Sequence, residues 1–310
     1  MHPHASTRRG TGGRLAGRAA RAIHAAAVMP LVAATVAGVL LAVVLPAAPA
    51  AAATAPPRAM YVWQWQDPQA VVSVATQRGV GTLFVAVPAD LTTSPQLPAV
   101  RALVAAATAN GLRVDALGGD PGWVDQPTWA VDHWLRPTLA TGLFSGVHVD
   151  VEPWATPAWT KKQATTVSRY LTLLDTLVGA AGPRPVEADI PFWFDGVTAG
   201  RRSTLDREVM RRVAGVTVMA YRNTASGSDG TIALAATELA VGASLGKPVR
   251  VGQETMFLGT DPVSVKQTFD GQTLTRMESQ LALVDAGAGA YASYAGIAVH
   301  DYTARSAMAP

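Results

Sequence analysis

The segment Gly146-Val-His-Val-Asp-Val-Glu152 alternates apolar and titratable residues. Successive side chains of a β-strand point to opposite faces, so His148, Asp150 and Glu152 share one face and the three valines share the other. The pattern predicts a strand whose valines face surrounding helices and whose polar row faces the axis of a barrel. Burying such a row without partners is costly, so it indicates either a functional site or a tightly hydrogen-bonded ladder.

Apolar runs of similar length recur along the chain, each after a helix-like stretch that ends at glycine. The predicted strands are 59–65, 82–87, 112–117, 146–152, 185–190, 215–221, 248–254 and 296–302. The predicted helices include 98–109, 161–178, 205–213, 232–245 and 274–286. This alternation predicts a single (β/α)8 TIM barrel of the α/β class. A doubly wound open sheet is the alternative, but no glycine-rich phosphate motif follows the first strand.

The N-terminal segment has a composition of its own. Residues 1–55 contain five arginines and no acid, and an apolar stretch over 25–45 is followed by small residues. This order is typical of an export signal, and an uncleaved membrane anchor is the alternative. We therefore expect a signal peptide or N-terminal anchor in 1–55, a catalytic barrel in 56–310, and a secreted or extracytoplasmic location. The chain has no cysteine, so stability outside the cytoplasm would depend on packing.

The charge balance bears on the class of partner. The formal net charge is +3, but removal of residues 1–55 leaves 20 basic and 22 acidic side chains. A body with that balance has no broad positive field for a phosphate backbone, which excludes nucleic acid as the expected partner. Contact with a membrane is expected only if the leader is retained.

The ends of the predicted strands carry acids and tryptophans. Active sites of (β/α)8 barrels lie at the carboxyl ends of the strands. The predicted substrate-binding residues there are Trp63, Trp154, Trp193, Arg222, His148, Asp189 and His300. Aromatic rings stack on the C–H faces of sugars, and carboxylates pair with sugar hydroxyls. We therefore predict an oligosaccharide or polysaccharide substrate, with no cofactor.

Glu152 is the candidate general acid. Neighbouring carboxylates raise each other's pKa, which would keep Glu152 protonated near neutral pH. A protonated carboxyl at the barrel mouth can donate to the leaving oxygen of a glycosidic bond.

Three segments resemble motifs of the family 18 chitinases and related glycoside hydrolases. Residues 145–152 resemble the Asp-Gly-x-Asp-x-Asp-x-Glu signature of their fourth strand, and Val218-Met-Ala-Tyr221 resembles their Met-x-Tyr. Leu117-Gly-Gly119 is similar to their Ser-x-Gly-Gly. The resemblance implies that Glu152 is the general acid and Asp150 its orienting partner. It also implies that Tyr221 donates a hydrogen bond to the reacting group, and that the substrate's own 2-acetamido oxygen is the nucleophile.

The sequence departs from that family at three positions. Ser145 and His148 stand where the family has aspartates, and Arg222 follows Tyr221 where Asp or Asn is usual. His148 is expected to donate to Asp150 and to hold it ionised. Arg222 would either bind an acidic sugar or pair with a carboxylate of the rim.

Other functions remain open from the sequence. Glu152-Pro153 and Glu254 also resemble the acid and the nucleophile of the retaining (β/α)8 glycosidases, in which the two carboxyls lie about 5 to 5.5 Å apart. A glycan-binding barrel without catalysis, similar to chitinase-like lectins, is a further alternative. A metal hydrolase would need His148, His300 and nearby acids to converge, and no ligand spacing supports one.

Overall fold

The computed structural model describes residues 55–310, which form a closed barrel. Eight parallel strands pair in chain order, and the eighth pairs with the first. The predicted (β/α)8 barrel is therefore confirmed, and the open sheet is excluded. The predicted leader lies outside the described residues except for Ala55. No helix within residues 55–310 has the length and apolar character needed to span a bilayer.

All eight predicted strands are present, with ends shifted by a few residues. They are β1 Arg58–Val62, β2 Val80–Ala86, β3 Arg113–Gly118, β4 Gly146–Val149, β5 Val186–Pro191, β6 Gly215–Met219, β7 Val249–Glu254 and β8 Tyr294–His300. The largest differences are in β1 and β4, which both end before their predicted ends, at Val62 and Val149. The pairing of β4 with β3 ends at Val149, opposite Gly118. Pro153 has no N–H to donate to a ladder and begins a 3₁₀ turn, so the chain leaves the sheet at this point.

The helices surround the barrel. They are α1 Pro68–Gln77, α2 Leu97–Ala109, α3 Pro127–Trp129, α4 Arg136–Ala140, α5 Pro157–Ala181, α6 Leu205–Arg212, α7 Thr231–Leu245, α8 Pro262–Gln267, α9 Leu274–Ala288 and α10 Tyr302–Ser306. The five predicted helices correspond to α2, α5, α6, α7 and α9. Helix α5 starts earlier than predicted and is interrupted at Lys162, whose φ is −146°.

Glycine ends helices as the sequence predicted. Gly246 follows α7 with φ +65° in the left-handed region, and its N–H donates to the carbonyls of Ala243 and Gly242. A residue with a Cβ would be strained in that conformation, so glycine allows the chain to turn directly into β7.

The core has two layers. Val147, Val149 and Val151 belong to the large apolar cluster that includes Leu173 and Leu177 of α5. A smaller cluster inside the barrel consists of Ala59, Tyr61, Phe84, Leu117 and Ala298. The predicted alternation is thus confirmed, because the valines pack toward the helices while the polar row faces the barrel interior.

Candidate active site

A buried polar cluster lies beneath the barrel mouth. His148 of β4 donates through Nε2 to Asp189 Oδ1 of β5 at 2.9 Å, and the Tyr61 hydroxyl of β1 donates to the same oxygen at 2.5 Å. The His148 ring stacks on Phe84 with centroids 3.8 Å apart. The side chains of His148 and Asp189 are 0% and 2% exposed. Both were predicted to bind substrate; the structure buries them beneath the mouth, and their contact with substrate stays a prediction.

Opposite charges alternate through this cluster. Glu187 Oε2 lies 3.1 Å from Arg250 Nη1 and 3.8 Å from His148 Nδ1. Burial favours the neutral imidazole, but the charge and hydrogen bond of Asp189, together with Glu187, raise the pKa of His148 to about 9. Burial likewise opposes ionisation of Glu187, but the interaction with His148 and the charge of Arg250 lower its pKa to about 2. At neutral pH the cluster therefore holds an imidazolium between carboxylates.

Asp150 lies above this cluster at the end of β4. Its backbone N–H donates to the Gly118 carbonyl at 3.0 Å. Burial, followed by the charges of Asp189 and Glu152, raises the pKa of Asp150 to about 8. Its Oδ1 has no hydrogen-bond partner among the residues that the structure describes. The prediction that His148 donates to Asp150 and keeps it ionised is wrong, because the Nε2–H of His148 is directed to Asp189.

Gly119 fixes the backbone of Asp150. A Cβ at Gly119 would lie 1.9 Å from the Asp150 carbonyl oxygen. Only glycine allows the backbone at the end of β3 to approach the backbone of Asp150 this closely. The Gly-Gly pair noted in the sequence therefore serves to bring the end of β3 against the segment that carries Asp150.

Glu152 is partly exposed, and its backbone is anchored by the buried neighbours Val151 and Pro153. Its carboxyl does not cap the following turn, and it forms no hydrogen bond or ion pair within residues 55–310. Burial, followed by the charge of Asp189, raises the pKa of Glu152, while His300 acts in the opposite direction. The direction of the shift agrees with the sequence prediction, and no protein group within residues 55–310 occupies the carboxyl.

Tyr221 follows β6 and is partly exposed. Its ring lies over Gly252 of β7, where a Cβ would be 3.0 Å from Cε1. Burial, followed by the charges of Glu254 and Asp189, raises the pKa of Tyr221 well above its usual value. Tyr221 therefore stays a phenol that can donate a hydrogen bond.

Glu254 belongs to a hydrogen-bonded chain at the ends of β7 and β8. Its Oε1 accepts from the N–H groups of Thr255 and Met256, both at 2.7 Å. His300 Nδ1 lies 2.9 Å from its Oε2, and Trp63 Nε1 donates to His300 Nε2 at 2.6 Å. Glu254, His300 and Trp63, which were predicted separately as site residues, lie together in this chain of hydrogen bonds.

Trp154 and Trp193 belong to an aromatic group at the ends of β4 and β5. Their ring centroids are 5.4 Å apart in an edge-to-face arrangement, and Trp159 lies 5.9 Å from Trp193. Both predicted residues are partly exposed. Their predicted contact with substrate stays a prediction.

Arg222 is buried beside the mouth and is already paired. Its Nε and Nη2 donate to Asp229 Oδ1 at 3.0 and 2.7 Å, and its Nη1 donates to the Tyr221 carbonyl at 2.7 Å. Of the two roles that the sequence left open, the structure favours pairing with a carboxylate of the rim.

Two cavities border Trp63. One of about 370 Å³ is also lined by Trp123 and Trp129, and another of about 720 Å³ is also lined by Trp65 and Tyr302. Glu152 lines neither of them. Across residues 55–310, no three His, Asp or Glu side chains are arranged to hold a metal ion.

Sequence reasoning missed the lower members of the buried cluster. Glu187 and Arg250 lie two and four residues before named site residues of the same strands, and Tyr61 lies two residues before Trp63. Extending the alternation toward the start of each strand would have identified all three.

Comparison with solved structures identifies the type of barrel. No protein-family model matches the chain, and no curated protein matches it. A mutant GH18 chitinase from Cycas revoluta in complex with (GlcNAc)4 superposes with a TM-score of 0.54 at 11% identity, covering 80% of this chain and 95% of that one. The C-terminal domain of a putative chitinase from Desulfitobacterium hafniense gives 0.53 at 12% identity, covering 81% and 94%.

The spore cortex-lytic enzyme SleL of Bacillus megaterium has the same fold. It superposes with a TM-score of 0.51 at 11% identity, and the match covers 80% of this chain and 70% of that one. The chain therefore shares the barrel fold of these chitinases and of SleL.

Proposed function

We propose that this chain is an exported glycoside hydrolase that cleaves a polysaccharide or cell-envelope glycan, with Glu152 as the general acid. The observation that supports this best is the carboxyl of Glu152. It follows β4 at the barrel mouth, is partly exposed, has no hydrogen-bond or ion-pair partner among residues 55–310, and has a raised pKa. A carboxyl in this state can protonate a glycosidic oxygen.

Asp150 and Tyr221 assist the reaction. Glu152 donates its proton to the leaving oxygen while the 2-acetamido oxygen of the substrate attacks the anomeric carbon, so that the protein supplies no nucleophile. Tyr221 donates its phenolic hydrogen bond to that acetamido oxygen. Asp150, protonated near neutral pH, uses its unpartnered carboxyl to orient the acetamido group. Ionised Glu152 then takes a proton from a water whose oxygen adds to the anomeric carbon, and the bond between that carbon and the acetamido oxygen breaks, which restores the acetamido group and the protonated Glu152.

This mechanism is favoured over a covalent intermediate on Glu254. Both oxygens of Glu254 face protein donors, namely two backbone N–H groups and the His300 ring. A nucleophilic carboxylate needs an oxygen directed at the anomeric carbon. The contacts of Glu254 therefore support an orienting role.

The substrate class follows from the proposed mechanism. Attack by an acetamido oxygen requires a sugar with a 2-acetamido group. Two of the proteins with this fold are described as a chitinase bound to (GlcNAc)4 and as a spore cortex-lytic enzyme. Chitin oligomers and cell-wall glycan strands are therefore the substrates to test first.

The test is release of reducing ends by the purified protein. Glu152→Gln should lower kcat by roughly 10² to 10⁴-fold while leaving glycan affinity within about twofold, because general acid catalysis contributes about that much. Asp175→Asn, which changes an exposed carboxyl of α5, is the control and should leave kcat unchanged. Unchanged release by Glu152→Gln would refute the acid role.

A substrate panel separates the alternatives. The proposed mechanism requires activity on 2-acetamido glycans and none on plain hexose polymers. Equal activity on both would instead support a carboxylate nucleophile. A wild-type protein that binds glycans without releasing reducing ends would be a lectin.

A further inference from the structure

We propose that Glu254 and His300 are positioning residues for Trp63, whose indole is the platform on which a ring of an uncharged glycan stacks between the two cavities of the barrel mouth. The inference rests on the proposed function for the class of ligand. It concerns a different part of the site from Glu152, because Trp63 borders both cavities and Glu152 borders neither.

The direction of the hydrogen bonds is fixed by the indole. The nitrogen of an indole can only donate, so His300 Nε2 must carry a lone pair to accept from Trp63 at 2.6 Å. The ring proton of His300 then lies on Nδ1 and is donated to Glu254 at 2.9 Å. Burial favours the neutral ring, whereas the hydrogen bond and the charge of Glu254 raise the pKa of His300. The Trp63 N–H can be accepted only by a ring without a proton on Nε2, so in this arrangement the chain of bonds runs from Trp63 through a neutral His300 to the carboxylate.

Glu254 is held in turn by the backbone. Its Oε1 accepts two N–H groups, those of Thr255 and Met256, at 2.7 Å each. Glu254 is 3% exposed, so water cannot readily replace these bonds. Three donors converge on the carboxylate, which makes it an acceptor at every contact and fixes the tautomer of His300.

The lining of the cavities indicates the class of ligand. Tryptophans line both, together with the amides of Gln64, Gln66, Gln96 and Gln126 and the carboxyls of Asp67 and Asp120. Among residues 55–310, no lysine, arginine or histidine lines either cavity. Indole faces suit the C–H faces of sugar rings and amides suit hydroxyl or acetamido groups, whereas an acidic sugar would find no counter-charge.

Replacement of Glu254 by glutamine breaks this chain in either orientation of the amide. If the amide oxygen faces the backbone N–H groups, the NH₂ faces His300 Nδ1, which forces the ring proton onto Nε2 and against the Trp63 N–H. If the amide is turned, its oxygen can still accept from His300 Nδ1, but its NH₂ then meets the two backbone donors and the side chain must move. In both orientations Glu254→Gln therefore loosens the support of the Trp63 indole although it changes almost no volume.

The first measurement needs no ligand. The indole N–H resonance of Trp63, assigned with Trp63→Phe, should exchange slowly with solvent in the wild type. Glu254→Gln should speed its exchange at least tenfold, and Glu152→Gln, the matched control, should leave it unchanged. Equal exchange in wild type and Glu254→Gln would overturn the positioning role.

The second measurement is binding of the N-acetylglucosamine tetramer, followed in the Glu152→Gln background to prevent turnover. Glu254→Gln should weaken binding about tenfold, the scale of one lost hydrogen bond, and Trp63→Phe should weaken it at least as much because the indole itself is lost. The double variant should bind no more than about twofold weaker than Trp63→Phe alone, because Glu254 acts only through Trp63.

The outcomes separate this inference from the proposed function. The assignment of Trp63 as a stacking platform would be overturned if the binding losses of Glu254→Gln and Trp63→Phe were additive, or if the Glu152→Gln protein failed to bind the tetramer. Absence of hydrolysis by the wild type, with binding and indole exchange as expected, would overturn only the proposed function. Full activity and tight binding in Glu254→Gln would overturn the inference and leave the role of Glu152 intact.

Discussion

His148 Nε2 lies 2.9 Å from Asp189 Oδ1, directly beneath the mouth that Asp150 and Glu152 occupy. The pair is wholly buried, and Glu187 and Arg250 continue it toward the bottom of the barrel. Asp189 also contributes to the raised pKa of both Asp150 and Glu152. One buried aspartate therefore links the stability of the barrel to the protonation of the carboxyls above it.

The protonation of Asp150 should set the alkaline limit of activity. Its pKa of about 8 keeps the carboxyl protonated at neutral pH and ionises it above that value. We expect the protonated carboxyl of Asp150 to orient the acetamido group by donating its proton to that group, so kcat of the wild type should fall as pH rises through about 8 and this proton is lost. Asp150→Asn should lower kcat and lose this limb, since an amide does not titrate. A kcat profile that retains the same alkaline limb in Asp150→Asn would contradict the assignment.

The stability of the fold should fall between about pH 6.5 and 9. The folded pKa of His148 is about 9, above its ordinary value, so the stabilisation it gives is complete below about 6.5 and is lost as pH rises through 9. The raised pKa of Asp150 acts in the same direction, because the folded state favours its protonated form. Urea unfolding at pH 6 and pH 9 measures the difference, at about 1.4 kcal/mol per unit of pKa shift.

His148→Gln isolates the contribution of the imidazolium. Removing one member of a buried ion pair typically costs about 3 to 5 kcal/mol, so the variant should be less stable at pH 6. The free energy of unfolding of this variant should also vary much less between pH 6.5 and 9 than that of the wild type. Equal pH slopes in the wild type and His148→Gln would show that the stabilisation does not come from this ring.

Much of the fold was predictable because the signals are local. Alternation in residues 146–152 fixes which side chains face the interior, and glycine after a helix, as at Gly246, marks where the chain turns into the next strand. Short helices such as α3 and α8 were missed because a few residues carry no measurable periodicity. The end of β4 was placed too late because the alternation continues past the point where pairing with β3 stops.

The site was predictable only in part, because the hydrogen-bond partner of a buried side chain can lie far away in the sequence. The sequence identified His148 as buried and polar, but Asp150 and Asp189 are both carboxylates on neighbouring strands. Which of them receives the Nε2–H depends on the stagger of β4 against β5, which pairs His148 with Glu187. The same holds for Glu254, whose bond to His300 depends on the pairing of β7 and β8.

Gly119 should be intolerant of alanine. A Cβ there would meet the Asp150 carbonyl at 1.9 Å, so the end of β3 or the segment that carries Asp150 must move. We expect Gly119→Ala to lose activity and to lower the free energy of unfolding by about 1 to 3 kcal/mol or more.

Gly179→Ala is the matched control for this change. Gly179 is an exposed position in α5 with nothing within 4 Å of the added Cβ. Alanine is the better helix former by about 0.5 to 1 kcal/mol, so this variant should be slightly more stable and fully active. Thermal unfolding of both variants measures the difference in stability. A Gly119→Ala variant that is as stable and as active as the wild type would refute the close approach of the two backbone segments.

Replacement of Arg222 should lower activity on all glycans by the same factor. Its guanidinium donates twice to Asp229 and once to the Tyr221 carbonyl, so it holds the backbone of Tyr221 and has no free edge for a carboxylate ligand. Arg222→Lys removes the planar fork that makes these contacts. We expect kcat/KM to fall by the same factor on neutral and acidic glycans, and Asp229→Asn to shift it in the same direction. A loss confined to acidic glycans, with neutral ones cleaved as before, would instead make Arg222 a substrate-binding residue.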